Sequence, residues 1–432
     1  MALGDVLGRL GVRRVFGDAV GGGIDDPVVR GHAAARLLAE ADGAVGAGVG
    51  AWWTGSTLTI TSCPGAEAER ATVASPQELV DAFADARVRG AGAIALELGF
   101  DLSDDRIPTT PIVRDPSLAA QLPAPDLPDD GGRYTFDLVL AGSNIIRARA
   151  VEALRELADR TGLGVLNVFT AKGLFRWDSP YHLGTAGLQL HDFGLAGLAP
   201  DRPVLAIGVG ADECPDVIMR DAGLTPDGNW PIVRATTEHL DALPGRVRAS
   251  HDGPPALGPL YERLSAVVQP LYLLADVPLN PARAAADIAE TLPEGGVVTL
   301  EPGTTGWWVA RALPTTQLGS VRVPAVGRPG LSVAAAVLAS MEGKPAVAVV
   351  ESLSAPETRS MVELARERDA NIVVAVWGAE GEIGSSEEHR NELRVAFDKP
   401  GVTVIRVPVA FDDATAQLVD AAGPLAAWKQ QR

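Results

Sequence analysis

Two cysteines in 432 residues, Cys63 and Cys214, exclude a disulfide framework and a multi-cysteine metal site. Aromatic residues are scarce at 5%, while 47% hydrophobic and 21% charged residues make a globular balance that calls for no disorder. Positive charge is the minority sign. Against 55 Asp and Glu stand 37 Lys and Arg, and the formal net charge of −18 makes nucleic acid and anionic membranes poor partners. No apolar run approaches the length that spans a bilayer, and the stretch from Met1 to Asp5 has neither the basic segment nor the apolar core of a signal peptide. A cytoplasmic protein with no nucleic-acid or membrane partner is expected. Its length is too great for one core and suits three domains of ordinary size.

Apolar runs at 137–141, 203–208, 297–300, 346–350 and 372–376 read as buried parallel strands. Amphipathic helices lie between them. The stretch 148–160 places Val151, Leu154, Leu157 and Ala158 on one face, and 281–292 opens on Pro281 and is followed by Pro293 and a glycine pair. Strand and helix alternating this often predict α/β layers with parallel sheets. Two stretches rich in Pro, Asp and Gly interrupt the alternation and read as linkers. They divide the chain into a first domain over 1–105, a linker over 106–133, a central domain over 134–253, a linker over 254–272 and a last domain over 273–432.

Other local features point to ordinary structure. The glycine-rich stretches 20–24 and 43–50 do not open a G-x-G-x-x-G between strand and helix, so they read as loops. His182 and His191, with Asp192 beside the second, lack a third converging metal ligand and read as loop residues. Glu380, Glu382, Glu387 and Glu388 form an acidic cluster expected to be a solvated loop and helix start. In each of the pairs Trp52-Trp53 and Trp307-Trp308, at most one ring is expected to face a core.

The central segment carries a resemblance. A strand runs into Gly142-Ser143-Asn144 and a helix, Thr170-Ala171-Lys172-Gly173 precedes the His182-to-Gly187 segment, and the strand at 205–210 follows. This order resembles the middle domain of the thiamine-diphosphate enzymes related to acetolactate synthase and benzoylformate decarboxylase. Looser likenesses flank it. Gly303-Thr304-Thr305 and Gly330-Leu331 resemble turns of that family's diphosphate-binding domain, and the segments at 11–17, 60–66 and 75–79 resemble its pyrimidine-binding domain. The resemblance implies three open, doubly wound parallel-sheet α/β domains of the thiamine-diphosphate-enzyme type, the first abbreviated. It also implies a dimer or tetramer of this chain, or a hetero-oligomer with a catalytic paralogue.

The family's chemistry is missing from its places. Relatives anchor the diphosphate through Mg²⁺ or Ca²⁺ held by an Asp and Asn pair. Here Glu351-Ser352-Leu353 stands where the "G-D-G" belongs, and Trp377-Gly378 where the two asparagines belong. The helix that should carry the glutamate for the aminopyrimidine ring carries His32 and no carboxylate. Thiamine diphosphate with Mg²⁺ is therefore not expected to bind in the family's way, and the residues name neither another cofactor nor a metal site. The resemblance assigns Gly303, Thr304, Glu351, Ser352 and Trp377 to the cofactor cleft, with His32 and Cys63 as candidate catalytic groups. One reading has Glu351 capping a helix at 354–364, with Trp377 filling vacated space. The expected function is a non-catalytic, regulatory or structural subunit of a family complex. Two alternatives stay open: a 2-oxo-acid lyase or carboligase with an altered cofactor site, and a cleft turned to another ligand.

Overall fold

Unbroken apolar strands need cover on both faces, and the chain provides it by packing three five-stranded sheets between helices. The computed structural model describes residues 7, 12, 14–17, 32–45, 49–54, 57–62, 66–88, 93–99, 126–199, 201–210, 213, 231–235, 237, 240–252, 255, 258–378 and 380–428. The first sheet contains β1 (Val15–Gly17), β2 (Gly50–Thr54), β3 (Thr57–Thr61), β4 (Ala68–Val73) and β5 (Ala93–Leu98), in the order β1-β2-β3-β5-β4. Helices α1 (His32–Val45) and α2 (Pro76–Val88) accompany it. This sheet departs from the parallel expectation, because β3 runs antiparallel to both β2 and β5. Only Gly55 and Ser56 separate β2 from β3, and two residues can join strands only as an antiparallel hairpin.

The central segment builds a parallel sheet from β7 (Leu138–Ala141), β8 (Gly164–Val168), β9 (His182–Ala186), β10 (Val204–Ile207) and β11 (Ile232–Ala235), ordered β11-β10-β7-β8-β9. The short β6 (Tyr134–Phe136) and β12 (Val247–Ala249) pair beside it. Helices α3 (Asn144–Arg147), α4 (Val151–Thr161) and α5 (Asp192–Leu195) belong to the same segment. The stretch expected to be a second linker holds a full helix, α6 (Pro259–Tyr272). Pro259 is its first residue, where a missing N–H costs nothing, and Leu260, Val268 and Leu271 are buried along it.

The last segment opens with α7 (Pro281–Thr291), whose Asn280 cap accepts the Arg283 N–H. Its sheet consists of β13 (Val297–Leu300), β14 (Val321–Arg322), β15 (Ala346–Val350), β16 (Ile372–Gly378) and β17 (Val402–Pro408), all parallel, in the order β14-β13-β15-β16-β17. The helices α8 (Thr304–Ala312), α9 (Leu331–Met341), α10 (Pro356–Glu367), α11 (Ser386–Asp398) and α12 (Asp412–Ala422) cover it. Alternation along β16 splits the core. Ile372, Val374 and Val376 pack with residues of α9, α10 and α1, whereas Val373, Ala375 and Trp377 join a core continuous with the central sheet.

Candidate functional site

In both parallel sheets the chain order reverses at one place, and the strand ends diverge there into a crevice. In the last sheet this place lies between β13 and β15. Beyond Leu300 the chain turns through Glu301-Pro302-Gly303 into α8. Gly306 has to be glycine, since a Cβ there would lie 1.9 Å from the Glu301 carbonyl oxygen. Val350 leads into Glu351, whose Oε2 lies 3.1 Å from the position a Cβ on Gly303 would take. Between them opens a cleft of about 300 Å³ lined by these turns and by the first turns of α8 and α10.

Glu301 and Glu351 are the only charged lining residues among those described. Burial pushes the Glu301 carboxyl up to about 7, and the charge of Glu351 adds to the effect. The N–H groups of Gly330, Leu331 and Ser332 at the start of α9 pull it partly back, the last at 3.5 Å. Two hydroxyls in the lining have no partner: those of Thr305, 1% exposed, and Thr358, 0% exposed. No side chain caps α8 or α10.

Of the residues expected at the cleft, Gly303, Glu351 and Ser352 come together there. Thr304 is exposed outside the lining, and its neighbour Thr305 takes the inward place. Trp377 is displaced from its expected position. It is fully buried in the core shared with the central sheet, because alternation along β16 turns it away, and its indole N–H finds no acceptor. Glu351 is exposed and caps nothing. The helix begins later, at Pro356, and Ser352 Oγ accepts the Ser354 N–H instead. His32 opens α1, but its side chain lies outside the described residues, as do Cys63 and Cys214. Both tryptophans of the pair 307–308 are buried, which corrects the expectation of one outward ring.

The central sheet reverses between β7 and β10. There the Glu213 carboxylate, 2% exposed, accepts the Gly210 N–H at 2.8 Å, the Ser143 N–H at 3.2 Å and the Thr170 hydroxyl at 2.5 Å. The crevice is also narrow, as a Cβ on Gly142 would come 2.3 Å from the Val209 Cα. Sequence reasoning missed Glu213, since its partners Ser143 and Thr170 lie 70 and 43 residues away.

A family model described as "Thiamine pyrophosphate enzyme, central domain" matches residues 137–218. That stretch is similar to the central domain of the thiamine-diphosphate enzymes. A stretch of 76 residues is 33% identical to an acetolactate synthase of Mycobacterium avium; it covers 18% of this chain and 12% of that relative. The fold extends over nearly the whole chain. The thiamine diphosphate-dependent 4-hydroxybenzoylformate decarboxylase of Rhodococcus jostii RHA1 superposes with a TM-score of 0.59 at 14% identity, over 96% of this chain and 100% of that one. Benzoylformate decarboxylase from Polynucleobacter necessarius gives 0.59 at 14% identity, over 95% and 98%.

The residues at the switch point do not fit the family's metal-bridged diphosphate. Ser352 offers one exposed hydroxyl already bonded to backbone, and Trp377 is a buried indole that cannot ligate a cation. The first N–H groups of α9 meet Glu301 and do not line the cleft. A diphosphate placed there would have two carboxylates as its charged neighbours and no basic side chain in the lining.

Proposed function

We propose that this chain is a non-catalytic member of the thiamine-diphosphate-enzyme family, a structural or regulatory subunit assembled with itself or with a catalytic paralogue. One observation carries the reading. At the switch point of the central sheet the Glu213 carboxylate already accepts backbone N–H groups that would receive a phosphate, and at that of the last sheet the charged lining groups are two carboxylates, Glu301 and Glu351. A second anion in either place would meet like charge at short range. The mixed first sheet and the shared cores leave the fold intact, which is what a subunit retained for its surfaces needs.

The test is calorimetry of the purified protein with thiamine diphosphate and Mg²⁺, for which no saturable heat is expected. Micromolar, magnesium-dependent binding would overturn the reading. Light scattering is expected to give a dimer or tetramer. A monomer of 44.9 kDa with no partner recovered from the native source would refute the assembly part. A second reading, a cleft turned to another ligand, gains support from the space that remains open between Glu301 and Glu351.

A further inference from the structure

The cleft between β13 and β15 combines features that a diphosphate does not satisfy. Its two charged groups are carboxylates on strand ends that face each other across the crevice. Two helices start at its wall with no side-chain cap, leaving first-turn N–H groups of α8 and α10 without intrahelical acceptors. Independently, Thr305 and Thr358 bring fully buried hydroxyls into the lining with nothing to bond. A buried hydroxyl without a partner costs about 1–3 kcal/mol, so its natural complement is a polar atom supplied from the cleft.

We propose that this cleft binds a small zwitterion of the amino-acid class, its ammonium held between Glu301 and Glu351 and its carboxylate received at the starts of α8 and α10 by the Thr305 and Thr358 hydroxyls. The inference rests on the reading that the cleft does not take thiamine diphosphate. Each group has its complement. A cation between two facing carboxylates relieves their repulsion, and an anion at an uncapped helix start meets free N–H donors. A purely anionic ligand would meet both glutamates, and a purely cationic one would leave the helix starts and hydroxyls unanswered. The volume of about 300 Å³ lies at the small end of ligand pockets and suits a molecule of this size. An ammonium beside Glu301 also favours its ionised form, so binding near neutral pH should expel a proton.

The experiment is titration calorimetry of the full chain with four probes: glycine, L-serine, ethanolamine, which is serine without its carboxylate, and glycerate, in which a hydroxyl replaces serine's ammonium. Glycine and L-serine are expected to bind with a Kd below about 10 mM, and the two truncated probes at least about tenfold more weakly. The observed heat should change with the ionisation enthalpy of the buffer. Glu301→Gln should weaken L-serine at least about tenfold and abolish the buffer dependence. Thr358→Val, of similar shape and without the unpaired hydroxyl, should fold at least as well as the parent and also bind more weakly. The proposal is overturned if neither amino acid binds, if glycerate binds as well as L-serine, or if both substitutions leave L-serine binding unchanged. Magnesium-dependent thiamine diphosphate binding in the same calorimeter would instead overturn the functional reading beneath it.

Discussion

Arg311 on α8 reaches from the last sheet's layer into the central segment, and its loss should be costly. Its Nη2 donates to both oxygens of Asp192 at 2.7 and 2.9 Å, and its Nη1 to the Thr185 carbonyl at 3.0 Å. Asp192 in turn accepts the N–H groups of Leu188 and Gln189 at 2.9 and 2.8 Å. The two side chains are 2% and 0% exposed, so neither charge has water to fall back on. Arg311→Met keeps the apolar stem and removes the guanidinium, stranding a buried carboxylate at a cost of about 3–5 kcal/mol. The cost should depend on pH with a defined sign. Burial already raises the Asp192 carboxyl above its usual range, with Arg311 holding it down. Without Arg311 the folded state binds more protons than the unfolded state between the ordinary value and the raised one. Stability then falls as pH rises through that window, and the gap to the parent widens with it. Urea unfolding followed by the fluorescence of the buried Trp307 and Trp308 reads this directly. Adding Asp192→Asn should recover part of the loss and flatten the pH dependence. A loss under about 1 kcal/mol, or one independent of pH, would refute the account of a desolvated latch.

Two further outcomes are expected. Trp377→Ala should destabilise by about 3–5 kcal/mol through the cavity it leaves, while Trp377→Phe, which also removes an unbonded indole N–H, should cost far less; Glu351→Ala, at an exposed position, should change the urea midpoint little. For Glu301, the folded carboxyl titrates near 7 against an ordinary 4.5, so its contribution is fully present below the lower value and is lost as pH rises through the higher. Allowing for its partial exposure, the parent should lose about 2 kcal/mol across that window relative to Glu301→Gln, and a parallel pH course for the two proteins would contradict the raised carboxyl.

The parts of the fold that were legible in the sequence share one physical cause. A parallel strand covered on both faces is apolar throughout, and the runs at 297–300 and 346–350 coincide with β13 and β15. Where structure and expectation differ, the difference lies in turn and cap residues. Gly55-Ser56 between alternating strands is a hairpin signal. Pro259 falls in a stretch that composition marks as linker, yet a proline before a face of Leu260, Val268 and Leu271 opens a helix. Ser385 caps α11 by accepting the Glu388 N–H, while Glu388 accepts the N–H of Gly384 just before the cap, a three-residue Ser-to-Glu spacing visible in the chain.

The site divides along a different line. Gly303, Glu351 and Ser352 could be placed together because a strand end in a parallel sheet has a fixed address, and a motif likeness supplies it. What sequence could not supply was direction and depth. Trp377 sits one strand from the switch point, and only the register of β16 decides that its ring enters the core. Glu301 reads as an ordinary turn residue until α9, some thirty residues later, brings its first N–H groups against it. The same holds for Glu213 in the central sheet. A helix start or glycine turn that receives no ligand still carries donors that burial makes costly to leave unbonded. A carboxylate from the chain satisfies those donors without a cofactor, and its charge then repels any phosphate that approaches. One residue type thus bonds buried donors and sets a like charge against a phosphate. The two crevices differ in what remains: Glu213 meets its donors in a narrow space where the Ser143 hydroxyl beside it stays unbonded, whereas Glu301 keeps a facing carboxylate and two unbonded hydroxyls beside an open cleft. Unspent hydrogen-bonding capacity beside open space is what separates a sealed crevice from one that can still hold a ligand, and the cleft beside Glu301 has both.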